Sequence, residues 1–325
     1  MADQEPRLVT LAQLLEMHHA WVEGDQEGVR ADFDSVKLDR ANLRNADLRK
    51  AVFRSTSMRG THLEGADLSG AMLVESDLRG ALMMETDLTG AEMKSAILEG
   101  VDLTNARLNE VSASETSFLE ANLSGARFLD ANLRQCDFTK AIMKKAVLQH
   151  SQIFECNFTE ADLETIMFSH ACARLCKFQE VRAGEGNFSY SKLEMSDFAR
   201  ARLTAARFVK AELGGTSFCS AEMQNANLRE SKMRRAVLTA AVLEGAKFGD
   251  ASLAGADLRG AILRGARELT SSQLSEAWTG KETVLPNGSQ GVYMKGSGAE
   301  RPQAPSWARS RRADSTVDAV DIARD

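Results

Sequence analysis

The chain has 325 residues and a formal net charge of −6, and 43% of its residues are hydrophobic, enough to build a buried core. This slightly acidic balance gives no overall attraction for nucleic acid. The sequence contains neither a signal-peptide hydrophobic region nor an apolar stretch long enough to span a membrane. We therefore expect a cytoplasmic protein that binds neither nucleic acid directly nor a membrane.

Residues 1–30 are predicted to form an N-terminal capping helix. Thr10 is placed as the N-cap and Gly24 as the stop signal. Between them, apolar residues recur at helical spacing, so that one helix face is formed by Leu11, Leu14, Leu15, His18 and Val22.

From Ala31 to Ala266 the sequence repeats every five residues without interruption. The central residue of each pentapeptide has a number ending in 3 or 8, and it is a large apolar residue except at Ala113, Ala173 and Ala183. Two positions earlier the residue is small, most often alanine. Five is the period of neither an amphipathic helix nor a strand, and it indicates a repeat architecture instead.

Strings such as Ala66-Asp67-Leu68-Ser69-Gly70 resemble the A(D/N)LxX signature of the pentapeptide repeat family. The resemblance covers roughly three quarters of the chain in about 47 repeats. It implies an all-β solenoid: a right-handed, four-sided (quadrilateral) β-helix with four pentapeptides per coil and short α-helical caps. The repeats would then make about 12 coils.

A period of twenty is visible without the family. Phenylalanines recur at this spacing in one series, Phe118, Phe138, Phe158, Phe178, Phe198 and Phe218. We expect residues twenty apart to stack above one another. Glycine occupies the fifth repeat position often toward both ends but never from Asp130 to Lys210. This predicts type II turns toward the ends and less regular turns through the middle.

After the repeats, residues 267–285 are predicted to form a C-terminal capping helix and turn. Thr270-Ser271-Ser272-Gln273 resembles a capping box opening a helix through Leu274 and Trp278. Residues 286–325 carry no periodicity and are rich in small and polar residues. We expect this segment to be a disordered tail.

The five cysteines favour reduced thiols, because their number is odd. Cys136, Cys156 and Cys176 all occupy the small inward position at a spacing of twenty, so we expect a column of buried thiols. Cys172 and Cys219 are expected to point outward. Parallel side chains separated by roughly 4.8 Å are poorly aimed for disulfides.

One column of side chains carries groups that bind metals. At spacing twenty the sequence places Asp130, His150, His170 and Tyr190 on one corner of the predicted prism. Asp130, His150 and His170 are a candidate divalent-metal or pH-sensing site, and chance stacking of solvated side chains is the alternative interpretation. No cofactor is expected, and no nucleophile elbow, Walker loop or metalloprotease motif is present, so we predict that the chain is not an enzyme.

Charge is distributed unevenly along the repeats. From Gly60 to Asp130 there are 13 acidic and 4 basic residues, a net charge of −9, whereas from Ala131 to Ala266 there are 15 acidic and 19 basic residues, a net charge of +4. Apolar residues predicted to point outward lie beside this acidic stretch. The candidate partner-binding surface comprises Asp67, Met72, Val74, Glu75, Asp77, Leu82, Met84, Glu85, Asp87, Glu99 and Asp102.

The functional prediction is a non-catalytic interaction rod that binds a protein partner through charged flat faces. The alternative is a DNA-mimicking inhibitor of a type II topoisomerase such as DNA gyrase, because some members of the family imitate B-form DNA; the basic later half weakens this reading. Members of the family also dimerise at the C-terminal end. Val242 and Ile262 lie where a terminal helix or a second copy would pack.

Overall fold

The computed structural model describes residues 9–302, which form a stack of parallel coils with two short helices. The helices are α1, Leu11–Val22, and α2, Ser271–Glu276. Parallel bridges join residues twenty apart, from Asp32 with Val52 to Lys247 with Arg267. Four short strands form one parallel sheet: β1, Ser112–Ser114; β2, Asn132–Arg134; β3, Gln152–Phe154; and β4, Cys172–Arg174. No helix between residues 9 and 302 is long and apolar enough to cross a bilayer.

Each coil contributes one bridge to each of four ladders. We number the four faces by the residue that opens each ladder: face 1 begins at Asp32, face 2 at Lys37, face 3 at Asn42 and face 4 at Asp47. Backbone hydrogen bonds connect neighbouring coils, as where the N–H of Phe53 donates to Met72 O at 2.8 Å. The chain therefore returns to the same face after four pentapeptides.

The core lies inside these four ladders. The central residues from Phe33 to Leu263 and most of the small residues two positions before them are buried. The predicted stacking is confirmed: the ring centroids of Phe138 and Phe158 are 4.8 Å apart with an interplanar angle of 2°. Phe128, from a second column, meets Phe138 edge-on at 6.3 Å. The aromatic core is therefore continuous both along the stack and across it.

The turns differ from the expectation based on glycine. Every fifth residue from Ser35 to Gly265 has a positive φ, whether it is glycine or not, as at Glu85 (59°) and Tyr190 (61°). A left-handed residue other than glycine costs about 1 to 2 kcal/mol. The backbone and side-chain bonds between coils offset this cost, so a left-handed fifth residue is kept where glycine is absent. The prediction of less regular turns through the middle is confirmed only in part: four turns are irregular, and three of them lie between Asp130 and Lys210.

Irregularity is confined to face 1, where β1–β4 replace single bridges. In a regular turn the central carbonyl accepts the N–H three residues later, as Leu63 O accepts that of Ala66 at 3.0 Å. In the β1–β4 coils, inward side chains from the next coil donate to the central carbonyls instead. These bonds run from Cys136 Sγ to Ala113 O at 3.3 Å, from Cys156 Sγ to Leu133 O at 3.5 Å and from Cys176 Sγ to Ile153 O at 3.8 Å.

The predicted thiol column is confirmed. Cys136, Cys156 and Cys176 are buried, all five cysteines are free thiols, and Cys172 and Cys219 are partly exposed. Burial raises the pKa of the Cys176 thiol to about 12, so this thiol remains protonated at neutral pH. Cys176 therefore serves packing and hydrogen bonding rather than thiolate chemistry.

Helix α1 begins at the predicted N-cap, Thr10, which forms a capping box with Gln13. Thr10 Oγ1 accepts the N–H of Gln13 at 3.3 Å, and Gln13 Oε1 accepts the N–H of Thr10 at 3.0 Å. The helix packs apolar side chains against the first coil and buries His18 completely. His18 Nδ1 accepts the N–H of Ala31 at 3.0 Å, so the neutral imidazole joins α1 to the first repeat.

Acid is expected to weaken this junction. Burial lowers the pKa of His18 from its usual value, and protonation also removes the acceptor used by Ala31. Since the unfolded chain binds the proton more readily, the stabilisation is complete above about pH 6.5 and is lost as the pH falls toward the lowered value. Hydrogen exchange of α1 should accelerate in that window. The His18→Gln variant should show little pH dependence, and pH-independent exchange in the unaltered protein would contradict the assignment.

Helix α2 starts at the predicted N-cap, Thr270, but ends earlier than expected. Trp278 lies outside it, is 61% exposed and forms a parallel bridge with Asp257. Val284 likewise bridges Ile262, so the chain resumes the coil after the helix. The side chain of Gln273 donates to the carbonyls of Phe248 and Ala251, each at 2.8 Å.

The segment expected to be disordered is folded where the structure describes it. Residues 286–302 form turns against the last coil, with Tyr293 and Ala299 buried. Tyr293 Oη donates to Ser271 Oγ at 2.7 Å, and the N–H of Asn287 donates to Ala299 O at 3.1 Å. The remainder of the predicted tail, 303–325, lies outside the described residues.

Candidate functional site

The predicted partner-binding residues do not form one surface. Because the chain turns a corner after every repeat, they divide between two sides of the prism. Faces 1 and 2 carry Met72, Val74, Glu75, Asp77 and Glu99. The corner between faces 3 and 4 carries the other six, which we call the acidic edge: Asp67, Leu82, Met84, Glu85, Asp87 and Asp102.

On faces 1 and 2 the protein neutralises one of the three predicted carboxylates, Asp77. Asp77 pairs with Arg79 at 2.7 Å and with Arg59 at 2.5 Å. Hydrogen bonds from these guanidinium groups, that of Arg79 first, lower the pKa of Asp77 to about 2. Glu75 accepts a hydrogen bond from Ser55 Oγ at 3.3 Å. Among residues 9–302, Glu75 and Glu99 have no cation within ion-pair distance, so the neutralisation on this side is confined to Asp77.

The acidic edge keeps more of its charge. Asp67 lies between Asp47 and Asp87 on the face 4 ladder, so three carboxylates are stacked on successive coils. Asp87 pairs with Arg107 at 3.1 Å, while within residues 9–302 the Asp67 side chain accepts only the N–H of Ser69, at 2.9 Å. Among residues 9–302, neither Asp67 nor Glu85 has a cation within ion-pair distance. Like charges stacked in this way destabilise a ladder unless something neutralises them.

Apolar side chains accompany these carboxylates. Met84, beside Glu85 on the corner, is 40% exposed, and Leu82 is partly exposed next to it on face 3. Asp102 stacks on Leu82 and accepts hydrogen bonds from Thr104 Oγ1 at 2.6 Å and Asn122 at 3.4 Å. The acidic edge therefore combines negative charge with a small apolar contact area.

The imidazole column is assembled as predicted. His150 and His170 stack with ring centroids 5.2 Å apart, Tyr190 stacks on His170 at 4.7 Å, and Lys210 Nζ lies 5.6 Å from the Tyr190 ring centre. Asp130 is not gathered with the two histidines into a compact ligand set. Metal binding there stays a prediction. Metal analysis of the purified protein, with His150→Ala for comparison, tests it.

A second group of potential metal ligands was not predicted from the sequence, because its members come together only where α1 meets face 4. Within residues 9–302, only His19, Glu23 and Asp47 bring three potential metal-ligand atoms within 4.8 Å of one another. Arg49 already occupies this position, donating to Asp47 at 2.7 Å and to Glu23 at 3.0 Å. Hydrogen bonds from Arg49 first, and also from His19, hold the pKa of Asp47 well below its usual range. The group is a charged clasp for the helix.

An open groove of about 910 Å³ lies between faces 2 and 3. Two of its arginines are paired: Arg200 contacts Glu180 in the lining at 2.6 Å, and Arg182 contacts Asp162, outside the lining, at 2.8 Å. Surface chemistry here is that of ion pairs across coils, each worth a few tenths of a kcal/mol, roughly 0.2 to 1.

Several proteins of known structure are similar to this chain. The solved structures that resemble the chain include HetL, a pentapeptide repeat protein involved in heterocyst differentiation regulation in the cyanobacterium Nostoc sp. strain PCC 7120. Identity is 25%, over 87% of this chain and 99% of HetL, with a TM-score of 0.37. QnrB1, a plasmid-mediated fluoroquinolone resistance protein, is 16% identical over 59% of this chain and 82% of its own, with a TM-score of 0.32. No curated protein gives a match.

The sequence profile of the family described as pentapeptide repeats matches in 8 copies. The matched segments are 29–65, 62–100, 102–139, 131–169, 196–235 and 236–267, well over half of the chain. Together with the ladders at a spacing of twenty, this establishes that the chain belongs to the pentapeptide repeat family.

Proposed function

We propose that the chain is a non-catalytic rod that binds a protein partner in the cytoplasm, with the acidic edge as the binding surface. In this proposal the repeats form a right-handed four-sided helix of about 12 coils, and α1 and α2 cap its ends. The observation that carries the proposal is the stack of Asp47, Asp67 and Asp87, in which Asp67 has no cation beside it among residues 9–302.

The chemistry of the edge defines the kind of partner. Asp67 and Glu85 would pair with basic side chains of the partner, and the exposed Met84 would contact an apolar side chain between them. Complementary charge speeds association and selects the partner, while apolar contact supplies much of the affinity. We therefore expect a partner that presents lysine or arginine residues around an apolar residue.

Reversing the charge of the edge should remove binding. In the triple variant Asp67→Lys, Glu85→Lys and Asp87→Lys, capture of the partner from a lysate should fall at least about tenfold, because each reversal replaces attraction with repulsion. A matched control reverses three carboxylates elsewhere: Glu75→Lys, Glu99→Lys and Glu115→Lys. It changes the net charge equally and should retain capture.

Both variants must first give the circular dichroism and melting temperature of the unaltered protein. A folded edge variant that captures the partner as well as the control would remove this surface from consideration. Equal loss in both variants would show that net charge, rather than the acidic edge, governs binding.

The second candidate is a DNA-mimicking binder of a type II topoisomerase. It is supported by the net charge of −9 between Gly60 and Asp130 and weakened by the exposed Arg107 and Arg127 on the same face as Asp67. A gyrase supercoiling assay separates the two proposals. Inhibition at micromolar protein would favour mimicry, and unchanged supercoiling would discard it.

Dimerisation through the C-terminal end is a further proposal. Three large apolar side chains are exposed there: Trp278 (61%), Val292 (57%) and Met294 (71%). Thr279 Oγ1 accepts the N–H of Tyr293 at 2.8 Å, which holds the two segments together. Exposed apolar clusters of this kind mark contact surfaces. Loss of a dimer in the Trp278→Glu variant would support this assignment.

A further inference from the structure

Face 4 has a charge layout that differs from those of the other three faces. Its ladder begins with three aspartates, passes through two arginines and two apolar residues, and ends with basic residues. In order, the outward residues are Asp47, Asp67, Asp87, Arg107, Arg127, Val147, Met167, Asn187, Arg207, Asn227, Lys247 and Arg267. On faces 1 to 3, acidic and basic residues are interspersed along the ladder.

The basic end of face 4 is not neutralised within the described chain. Among residues 9–302, no carboxylate lies within ion-pair distance of Arg207, Lys247 or Arg267. Glu268, whose pKa is lowered in part by Lys247 and Arg267, is itself bonded to Arg229. Lys247 and Arg267 stack on successive coils, just as Asp67 and Asp87 do at the other end. Both ends therefore carry like charges in contact.

We propose that face 4 of one copy packs antiparallel against face 4 of a second copy. A second copy is favoured over a foreign polyanion because it neutralises both ends of the face at once. A two-fold axis between Val147 and Met167 sets Asp67 of each copy opposite Lys247 of the other, since both lie 90 residues from position 157. The same axis sets Val147 against Met167, which is 43% exposed. Such an interface is closed and self-complementary.

This register also brings Arg107 of one copy opposite Arg207 of the other. Asp87, which pairs with Arg107 at 3.1 Å, lies beside both in that arrangement. It faces Asn227 of the second copy, between Arg207 and Lys247. One carboxylate thus screens the two guanidinium groups and contacts the neighbouring lysine.

The size of the face is sufficient for association. Because Asp47 is held by Arg49, the matched part of the face runs from Asp67 to Lys247, nine coil steps or about 43 Å at roughly 4.8 Å per step. A strip three residues wide, about 10 Å, then buries on the order of 900 Å² over the two copies, the size of weak, transient interfaces. We therefore expect a weak, salt-sensitive dimer that covers Asp67 and Asp87 of the acidic edge. Partner binding and self-association would then compete.

The test is sedimentation velocity on the full chain over a range of concentrations at low ionic strength. Lys247→Glu and Asp67→Lys should each raise the dissociation constant of the dimer about tenfold. In a two-fold dimer each substitution is present in both copies, so it replaces two attractive contacts by repulsive ones. The double variant carrying both changes should recover the original constant to within about threefold. Lys177→Glu, the same change on face 2, should have no effect. Raising the salt should weaken the dimer.

A monomer at every soluble concentration would overturn the proposal, as would a double variant no better than its parents. A dimer lost in Trp278→Glu but insensitive to Lys247→Glu would place the contact at the C-terminal end and overturn it equally. The proposal of a protein partner is tested independently of self-association. Lys247→Glu leaves the acidic edge intact, so it should form the face 4 dimer about tenfold more weakly and still capture a partner. Failed capture by this variant leaves the self-association result unchanged.

Discussion

Replacing Phe158 by alanine is expected to lower the free energy of unfolding by about 3 to 5 kcal/mol. The ring lies between those of Phe138 and Phe178, with centroid distances of 4.8 Å on both sides, and it is fully buried. A coil stack has no second core, so the cavity removes contacts from the coils above and below. Urea denaturation followed by circular dichroism measures the loss.

Phe154 provides the matched control. It is the same residue type only four positions away, but it is partly exposed and covered on one side by Arg134, 5.2 Å from the ring centre. Phe154→Ala should cost about 1 kcal/mol or less, the usual range for surface substitutions plus one cation–π contact. Equal losses for Phe154→Ala and Phe158→Ala would contradict the assignment of the inward column.

The second large effect concerns the first coil. Leu14 of α1 is packed against the core, and changing it to Asp should detach the helix because a carboxylate cannot remain at that contact without several kcal/mol of penalty, about 3 or more. Detachment exposes the unpaired edge of the first coil and its apolar end. Edges of this kind associate with other chains. Light scattering should therefore show oligomers or aggregates, and amides near Ala31 should exchange faster.

Ala12→Asp introduces the same charge in the same helix at an exposed position. A carboxylate near a helix N-terminus is mildly favourable, so this variant should remain as soluble as the unaltered protein. Aggregation of both variants would show that charge in the helix, rather than loss of the Leu14 contact, causes the change. Aggregation of neither would mean that α1 does not protect the first coil.

The fold is predictable from the sequence to an unusual degree because one register governs it. Phenylalanines twenty residues apart, such as Phe118 and Phe138, lie on successive coils, so this spacing equals one coil. The N-cap residues Thr10 and Thr270 mark where the two helices begin. Where the register stops, prediction fails. Trp278 and residues 286–302 have no repeat to assign them to a face, and their order depends on contacts such as Tyr293 with Ser271.

Turn conformation was predicted only in part, for a related reason. A fifth residue without glycine was taken to change the turn, but the surrounding coils impose the same left-handed conformation on Glu85, Leu175 and Tyr190. The local preference of one residue is overridden by hydrogen bonds on both sides of it. His18 was also undervalued: its place on the apolar face of α1 marked it as buried, while its bond to Ala31 was visible only in three dimensions.

The sequence identified the candidate residues but not that they divide between two sides of the prism. A net charge counted along the chain averages over four faces, because successive repeats point in different directions. Asp77 and Asp87 are ten residues apart and lie on opposite faces; the first is bonded to two arginines, and the second belongs to a stack of aspartates. Counting at a spacing of twenty, as for face 4, recovers the separation of charge that counting in sequence conceals.

Distances between spin labels on face 1 test the central geometry most directly. With Cys172 and Cys219 changed to serine, cysteines for labelling replace Asp32, Ser112 and Ser252 in pairs. Four coils separate the first pair of positions and seven the second, so double electron–electron resonance should give about 19 Å, about 34 Å and, for the outer pair, about 53 Å. The outer distance should equal the sum of the other two. Distances that do not add, or that do not scale with the number of intervening coils, would contradict a circuit of four repeats.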